Sequence, residues 1–267
     1  WYKEYSYVED HFARVNTAMT RGKPVVKVGV IHPIESMWMC YGANDTCGET
    51  EKSMDKHLRD LADILLTALI DFDFIDEANM EDICPNGANP LKVGEMEYRT
   101  IIVPDCVTLR RNTLLRLKEF KNQGGNLVFV GRCPEFIDGV KCNDAKELYE
   151  SAKRVIADKT ALLKEIGGRL SVQTKNGCLS DNFIHQMRID TDGKWLFLAN
   201  VETAIYKRSF DEYWCWDNRE RASHLSVTGG SSAAFTSEDI KIIVEGEFTP
   251  QLYDTMTGEI KEPEFEI

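Results

Sequence analysis

Apolar residues at Val8, Phe12, Val15 and Met19 recur every three or four positions in VEDHFARVNTAMTRGKP, and Gly22 and Pro24 follow as stop signals. The spacing predicts one amphipathic helix that ends before Val25. PVVKVGVIHP then forms a continuous apolar run of strand length bounded by prolines, the pattern of a strand buried on both faces. After a polar loop from Cys40 to Cys47, Leu58, Leu61, Leu65 and Leu69 mark a second long helix, and FDFIDE follows as a short strand. A short helix over 78–83 gives way to a Pro/Asn/Gly loop, and YRTIIVPD supplies a third strand. In TLLRLKEFKNQGG, Leu114, Leu117 and Phe120 share a helical face that ends at Gly124-Gly125, where a left-handed cap is expected. NLVFVG is the fourth strand, and residues 147–166 are expected to form one further helix with Leu148, Val155, Leu162 and Leu163 on its core side.

Beyond Gly167-Gly168 the period changes to two. RLSVQT, NFIHQMRID, KWLFLAN, SHLSVT, IKIIVEG and PQLYD are short, rich in β-branched and aromatic residues, and separated by turns such as Asp192-Gly193 and Gly229-Gly230. Strands alternating with helices in the first part imply a parallel sheet with helices on both faces and right-handed connections. The expected fold class is therefore α/β: a flavodoxin-like doubly wound parallel sheet followed by an antiparallel β-sandwich-like domain. The expected boundaries are a helix at 1–24, a flavodoxin-like domain at 25–166 and a β-rich domain at 167–267.

Composition changes this picture little. Among 267 residues, 43% hydrophobic and 28% charged side chains suffice for a sizeable core. A net charge of −12 argues against sequence-independent nucleic-acid binding, which needs clustered cations. No apolar segment approaches the roughly 20 residues that cross a bilayer, so no membrane partner is expected. The eight cysteines form no C-x-x-C pair and no zinc-ligand spacing with histidine. They fit reduced thiols of a cytoplasmic protein, with neither metal nor cofactor expected, although an export signal has room upstream of Trp1. No G-x-G-x-x-G fingerprint or Walker loop supports nucleotide binding.

Candidate chemistry gathers where strands end, since open α/β sheets place functional loops at their carboxyl edge. Gly131-Arg132-Cys133-Pro134-Glu135 approaches a nucleophile elbow, which makes Cys133 a candidate nucleophile. Two features oppose it. Pro134 has no N–H to serve as an oxyanion donor, and Glu135 stands where the elbow needs a small residue. His185, the nearest later histidine, alternates with Phe183, Met187 and Ile189 on an apolar strand face and makes a poor base. His32, Glu35, Trp38 and Tyr41 follow the first strand and could converge on a polar ligand such as a sugar; alternatively, Trp38 packs on the preceding helix while His32 and Glu35 cap backbone. Trp214 and Trp216, in FDEYWCWDNRER, either stack on sugar rings or cover the end of the sandwich.

Several phrases resemble a known family. FARVNTAMTRGKPVVKVGVIHPIESMW, with Arg14, Gly22, Pro24 and the strand from Val25 to Pro33, resembles the junction in large bacterial glycoside hydrolases where the last barrel helix enters a flavodoxin-like domain. GEMEYRTIIVPDCVTL and LKEFKNQGGNLVFVG are similar to that domain's third and fourth strands, and VEGEFTPQLYDTMTGEI to the following β-sandwich. The relatives are the family 42 beta-galactosidases, with their trimerisation domain, and alpha-L-rhamnosidase-type enzymes. In these the middle domain resembles class I glutamine amidotransferases, while glycoside cleavage belongs to the barrel. The resemblance implies a non-catalytic accessory and oligomerisation module whose partners are an upstream catalytic barrel, a carbohydrate reached through the parent enzyme, and further copies of itself. It carries over no catalytic residue. Trp1 and the tail KEPEFEI are expected to be boundaries inside a longer chain. The alternatives are a Cys133-dependent amidotransferase-like hydrolase and a stand-alone sugar-binding module.

Overall fold

The structure, a computed structural model, describes residues 2–42, 48–168, 170–201 and 239–266. The chain opens with helix α1 (Tyr5–Met19), the short strand β1 (Lys23–Pro24) and the buried strand β2 (Val28–Ile31). Helices α2 (Ile34–Cys40) and α3 (Gly48–Thr67) lead to β3 (Phe72–Ile75), the one-turn helix α4 (Met80–Ile83) and a hairpin of β4 (Leu91–Val93) and β5 (Met96–Tyr98). Next come β6 (Thr100–Pro104), β7 (Thr108–Leu109), α5 (Arg111–Asn122), β8 (Asn126–Val130), and a second hairpin of β9 (Phe136–Ile137) and β10 (Val140–Lys141). Helix α6 (Lys146–Ser151), β11 (Lys153–Arg154) and α7 (Lys159–Ile166) close this half. The other half holds β12 (Leu170–Thr174), β13 (Phe183–Asp190), β14 (Gly193–Asn200), β15 (Ile240–Val244), β16 (Leu252–Tyr253) and β17 (Ile260–Lys261).

Five parallel strands form the central sheet in the order β11-β8-β6-β2-β3. Numbered along the chain, these strands lie 2-1-3-4-5, the flavodoxin-like order, and the direction of winding reverses between β2 and β6. The apolar runs suit this position because both faces are covered. Val28, Val30, Ile102, Val128 and Val130 pack with Leu61 and Leu65 of α3 and Leu162 of α7. On the opposite face, Ile101, Val103, Leu127 and Phe129 pack with Leu114, Leu117 and Phe120 of α5 and Leu148 of α6. Helix α5 ends as its glycines require: Gly124 takes φ +81°, and the Gly125 N–H returns to the Phe120 carbonyl at 2.9 Å.

The single helix expected over 147–166 is two helices with a strand between them. Leu148, Val155 and Leu162 recur every seven residues, a spacing that one helix satisfies as well as two. Val155 instead donates its N–H to the Phe129 carbonyl at 2.9 Å, and Asp158 caps α7 by accepting from the Ala161 N–H at 2.9 Å. The fifth sheet strand is thus the exposed pair Lys153-Arg154, a charged edge that discourages further strand pairing. The Pro/Asn/Gly loop similarly leads into the β4–β5 hairpin, whose inward Leu91, Val93 and Tyr98 are buried.

The β-rich half is antiparallel throughout its described residues, with sheets β1-β13-β14, β12-β15 and β16-β17. Leu170, Val172 and Phe183 share a core with Leu196, Leu198, Ile240 and Val244. Leu69, two residues past α3, enters the same core and joins the two halves. Residues 1–24 attach here: β1 pairs with β13, Arg21 bonds Asp190 and Asp192 at 3.1 and 2.7 Å, and Arg14 of α1 donates to the Met256 carbonyl at 2.8 Å. No residue of α1 is buried, and Val8 and Phe12 of the predicted stripe are exposed. The expected strand SHLSVT lies outside the described residues.

Gly131, at the end of β8, takes φ +141°, and a Cβ there would stand 2.6 Å from the Asp105 Cα. Gly131→Ala should cost about 2–4 kcal/mol, because backbone must move as well as adopt a strained angle. Gly124→Ala, with φ +81° but open space around it, should cost about 1 kcal/mol. Urea unfolding of both variants measures the difference.

Candidate functional site

The carboxyl ends of β2, β6 and β8 lead directly to His32, Asp105 and Gly131, so the reversal of winding collects three strand-end loops. Asp105 is the centre of the group. Its carboxylate is 3% exposed and accepts the Arg132 Nε at 2.8 Å and the Arg132 backbone N–H at 3.0 Å on Oδ1. On Oδ2 it accepts the Arg132 Nη2 at 2.9 Å and the His57 Nδ1 at 3.0 Å. Burial acts to raise its pKa, but the Arg132 and His57 hydrogen bonds outweigh that and hold it at about 2. Asp105 is therefore a permanent acceptor, so the His57 Nδ1 that meets it carries a proton, and in the neutral imidazole the lone pair is then on Nε2.

A second set of bonds fixes the adjoining loop. Ser36, fully buried on α2, accepts the Val107 and Thr108 N–H groups at 3.0 and 3.1 Å and donates to the Thr108 carbonyl at 3.2 Å. That uses all the capacity of one hydroxyl. Glu35 accepts the Arg110 Nε at 2.5 Å, and the buried Glu77 accepts the Arg110 backbone N–H at 2.8 Å, ahead of α5. Burial pushes the Glu77 carboxyl up to about 7, with Thr113 and Arg110 hydrogen bonds opposing it and the Glu35 charge adding to it.

Cys133 lies half-buried, and its thiol contacts the carbonyl of its own neighbour Pro134 at 3.7 Å. Burial raises its pKa, and the charge of Glu150 adds to the rise, so the thiol stays protonated at neutral pH. Cys106, fully buried, is pushed well up by burial. His185 sits on β13 in the other half, where burial lowers its pKa to about 4. Its expected strand face is apolar at Phe183 and Met187, but Ile189 at the far end is exposed.

The four residues after β2 take separate partners. His32 meets the Phe74 ring edge-on at 5.4 Å, and Glu35 pairs with Arg110 rather than capping backbone. Trp38 and Tyr41 are 64% and 76% exposed, so Trp38 does not pack into the helix layer. Trp214 and Trp216 lie outside the described residues. Sequence reasoning missed His57, Asp105, Arg132, Ser36 and the Arg110–Glu77 pair. Only Asp105 had a local signal: an acid placed directly after the buried run TIIVP. Among the described residues, no group of three or more His, Cys, Asp or Glu side chains could hold a metal, and no helix is long and apolar enough to cross a membrane.

The two acids impose opposite pH dependences. Asp105, lowered from 3.8 to about 2, contributes about 2 kcal/mol that is present above pH 4 and lost as pH falls through 2. Glu77, raised from 4.5 to about 7, is stabilising as the acid, so stability falls as pH rises from 4.5 to 7, by about 3 kcal/mol. In urea titrations Glu77→Gln should therefore gain on the parent by about that amount between pH 4.5 and 7, and be level with it below.

No protein-family model matches the sequence, and no curated protein matches it. Among solved structures, the cold-adapted beta-galactosidase from Rahnella sp. R3 is similar, with a TM-score of 0.34 and 14% identity. The match covers 70% of this chain and 31% of that chain.

Proposed function

We propose that this chain is an accessory module of a glycoside hydrolase: a flavodoxin-like domain with a β-rich domain that supports a separate catalytic barrel and assembles with further copies, without cleaving glycosides itself. The observation that carries this reading is what stands at the strand end where the fold would expose a nucleophile. Arg132 occupies it in a bidentate pair with Asp105, and the following thiol is protonated. The resemblance of FARVNTAMTRGKPVVKVGVIHP and of the third and fourth strands to the middle domain of family 42 beta-galactosidases supports the same assignment.

A second reading, a sugar-binding module, is favoured by the exposure of Trp38 on α2 and of Tyr41 just after it, in the segment that follows β2. Aromatic faces left in water at a strand-end loop suit stacking on a sugar ring.

The purified chain should not hydrolyse nitrophenyl glycosides. Iodoacetamide at pH 7 should label Cys133 no faster than an ordinary thiol, and Cys133→Ala should keep stability within about 1 kcal/mol of the parent. Rapid labelling of Cys133 would instead support the amidotransferase-like alternative. For the sugar-binding reading, tryptophan fluorescence should respond to millimolar monosaccharides and lose that response in Trp38→Ala; a flat titration removes it.

A further inference from the structure

His57 has a geometry that the accessory role does not require. Its Nδ1–H is fixed on Asp105, a carboxylate 3% exposed, while the imidazole itself is 49% exposed. Arg132 is 41% exposed, and its Nη2 bonds the same Asp105 Oδ2 that receives His57. An imidazole and a guanidinium therefore stand side by side over one buried anion, at the strand ends where winding of the sheet reverses, the place where ligands of such sheets bind. A buried carboxylate that sets the tautomer leaves Nε2 as a base aimed away from it.

We propose that the His57–Asp105 pair, with Arg132 beside it, is a general-base site that hydrolyses small acyl esters carrying an aryl or alkyl leaving group. His57 Nε2 takes a proton from water as the water oxygen bonds to the ester carbonyl carbon, and the carbonyl π pair moves onto oxygen beside the Arg132 guanidinium. Collapse of the tetrahedral species restores the carbonyl and breaks the bond to the leaving oxygen, which receives the proton held on His57. One ester and one water give one carboxylic acid and one alcohol, and the imidazole returns to its starting form.

Ester and glycoside hydrolysis are read with different chromogenic substrates, so failure here leaves the accessory reading standing. The test is hydrolysis of 4-nitrophenyl acetate by the purified 267-residue protein and by His57→Ala, each with a thermal melt to check folding. Arg132 keeps three hydrogen bonds to Asp105 in His57→Ala, so the variant should stay folded with a modestly lower melt. The parent should show saturation and a rate about 100-fold or more above His57→Ala, and added imidazole should restore part of the loss in the variant. His11→Gln, on α1, where the imidazole bonds the Thr255 carbonyl of the β-rich half, should keep the parent rate. A parent rate no higher than that of free imidazole at the same concentration, an unchanged rate in His57→Ala, or a loss that imidazole does not repair overturns the proposal.

Discussion

The constraint on which the strand-end region depends is the burial of one charge. Asp105 follows β6 directly, and its carboxylate is almost without solvent. Leaving such a group unpaired costs several kcal/mol, so it can stay ionised only if cations and N–H groups reach it from other elements. Arg132 comes from the loop after β8, and His57 from the middle of α3. One carboxylate thereby ties two adjacent strand ends to the helix layer above them. The close approach of Gly131 to the Asp105 backbone follows from the same requirement, since the Arg132 N–H must reach Oδ1.

The loop beyond Asp105 is held by a separate network with a different logic. Ser36 supplies acceptors for two buried N–H groups, and Glu77 supplies one at the entrance to α5. Ser36 is neutral and fully satisfied, whereas Glu77 sits in surroundings that favour its protonated form. The region therefore combines a carboxylate that never protonates near neutrality with one that titrates there. For chemistry the consequence is selective. Both thiols at this edge are held as neutral groups, while the imidazole beside them is half-exposed.

The β-rich half is bound to the first by apolar contact through Leu69 and by charge. Lys159, at the start of α7, bonds both the Thr67 carbonyl and Asp181, which links α3, α7 and the loop before β13. Arg21 places its guanidinium over the Trp195 ring at 4.7 Å while pairing with Asp190 and Asp192, so the segment after α1 is fixed by packing as well as hydrogen bonds.

Much of the fold was legible because the central strands are buried on both faces, and a strand such as TIIVP or NLVFV can only read as a continuous apolar run. The same logic hid β11, whose two residues are charged and lie at the sheet edge, and merged α6 with α7, because a seven-residue apolar spacing does not reveal a break. By itself the sequence determined four strands of the central sheet and the cap after α5, since these depend on neighbours along the chain. Only the tertiary structure decided that His57 meets Asp105 across 48 residues and that Arg132 shares the same oxygen. Local pattern carries no signal for that pairing, because it is the winding of the sheet, not the spacing of residues, that brings those groups to one point.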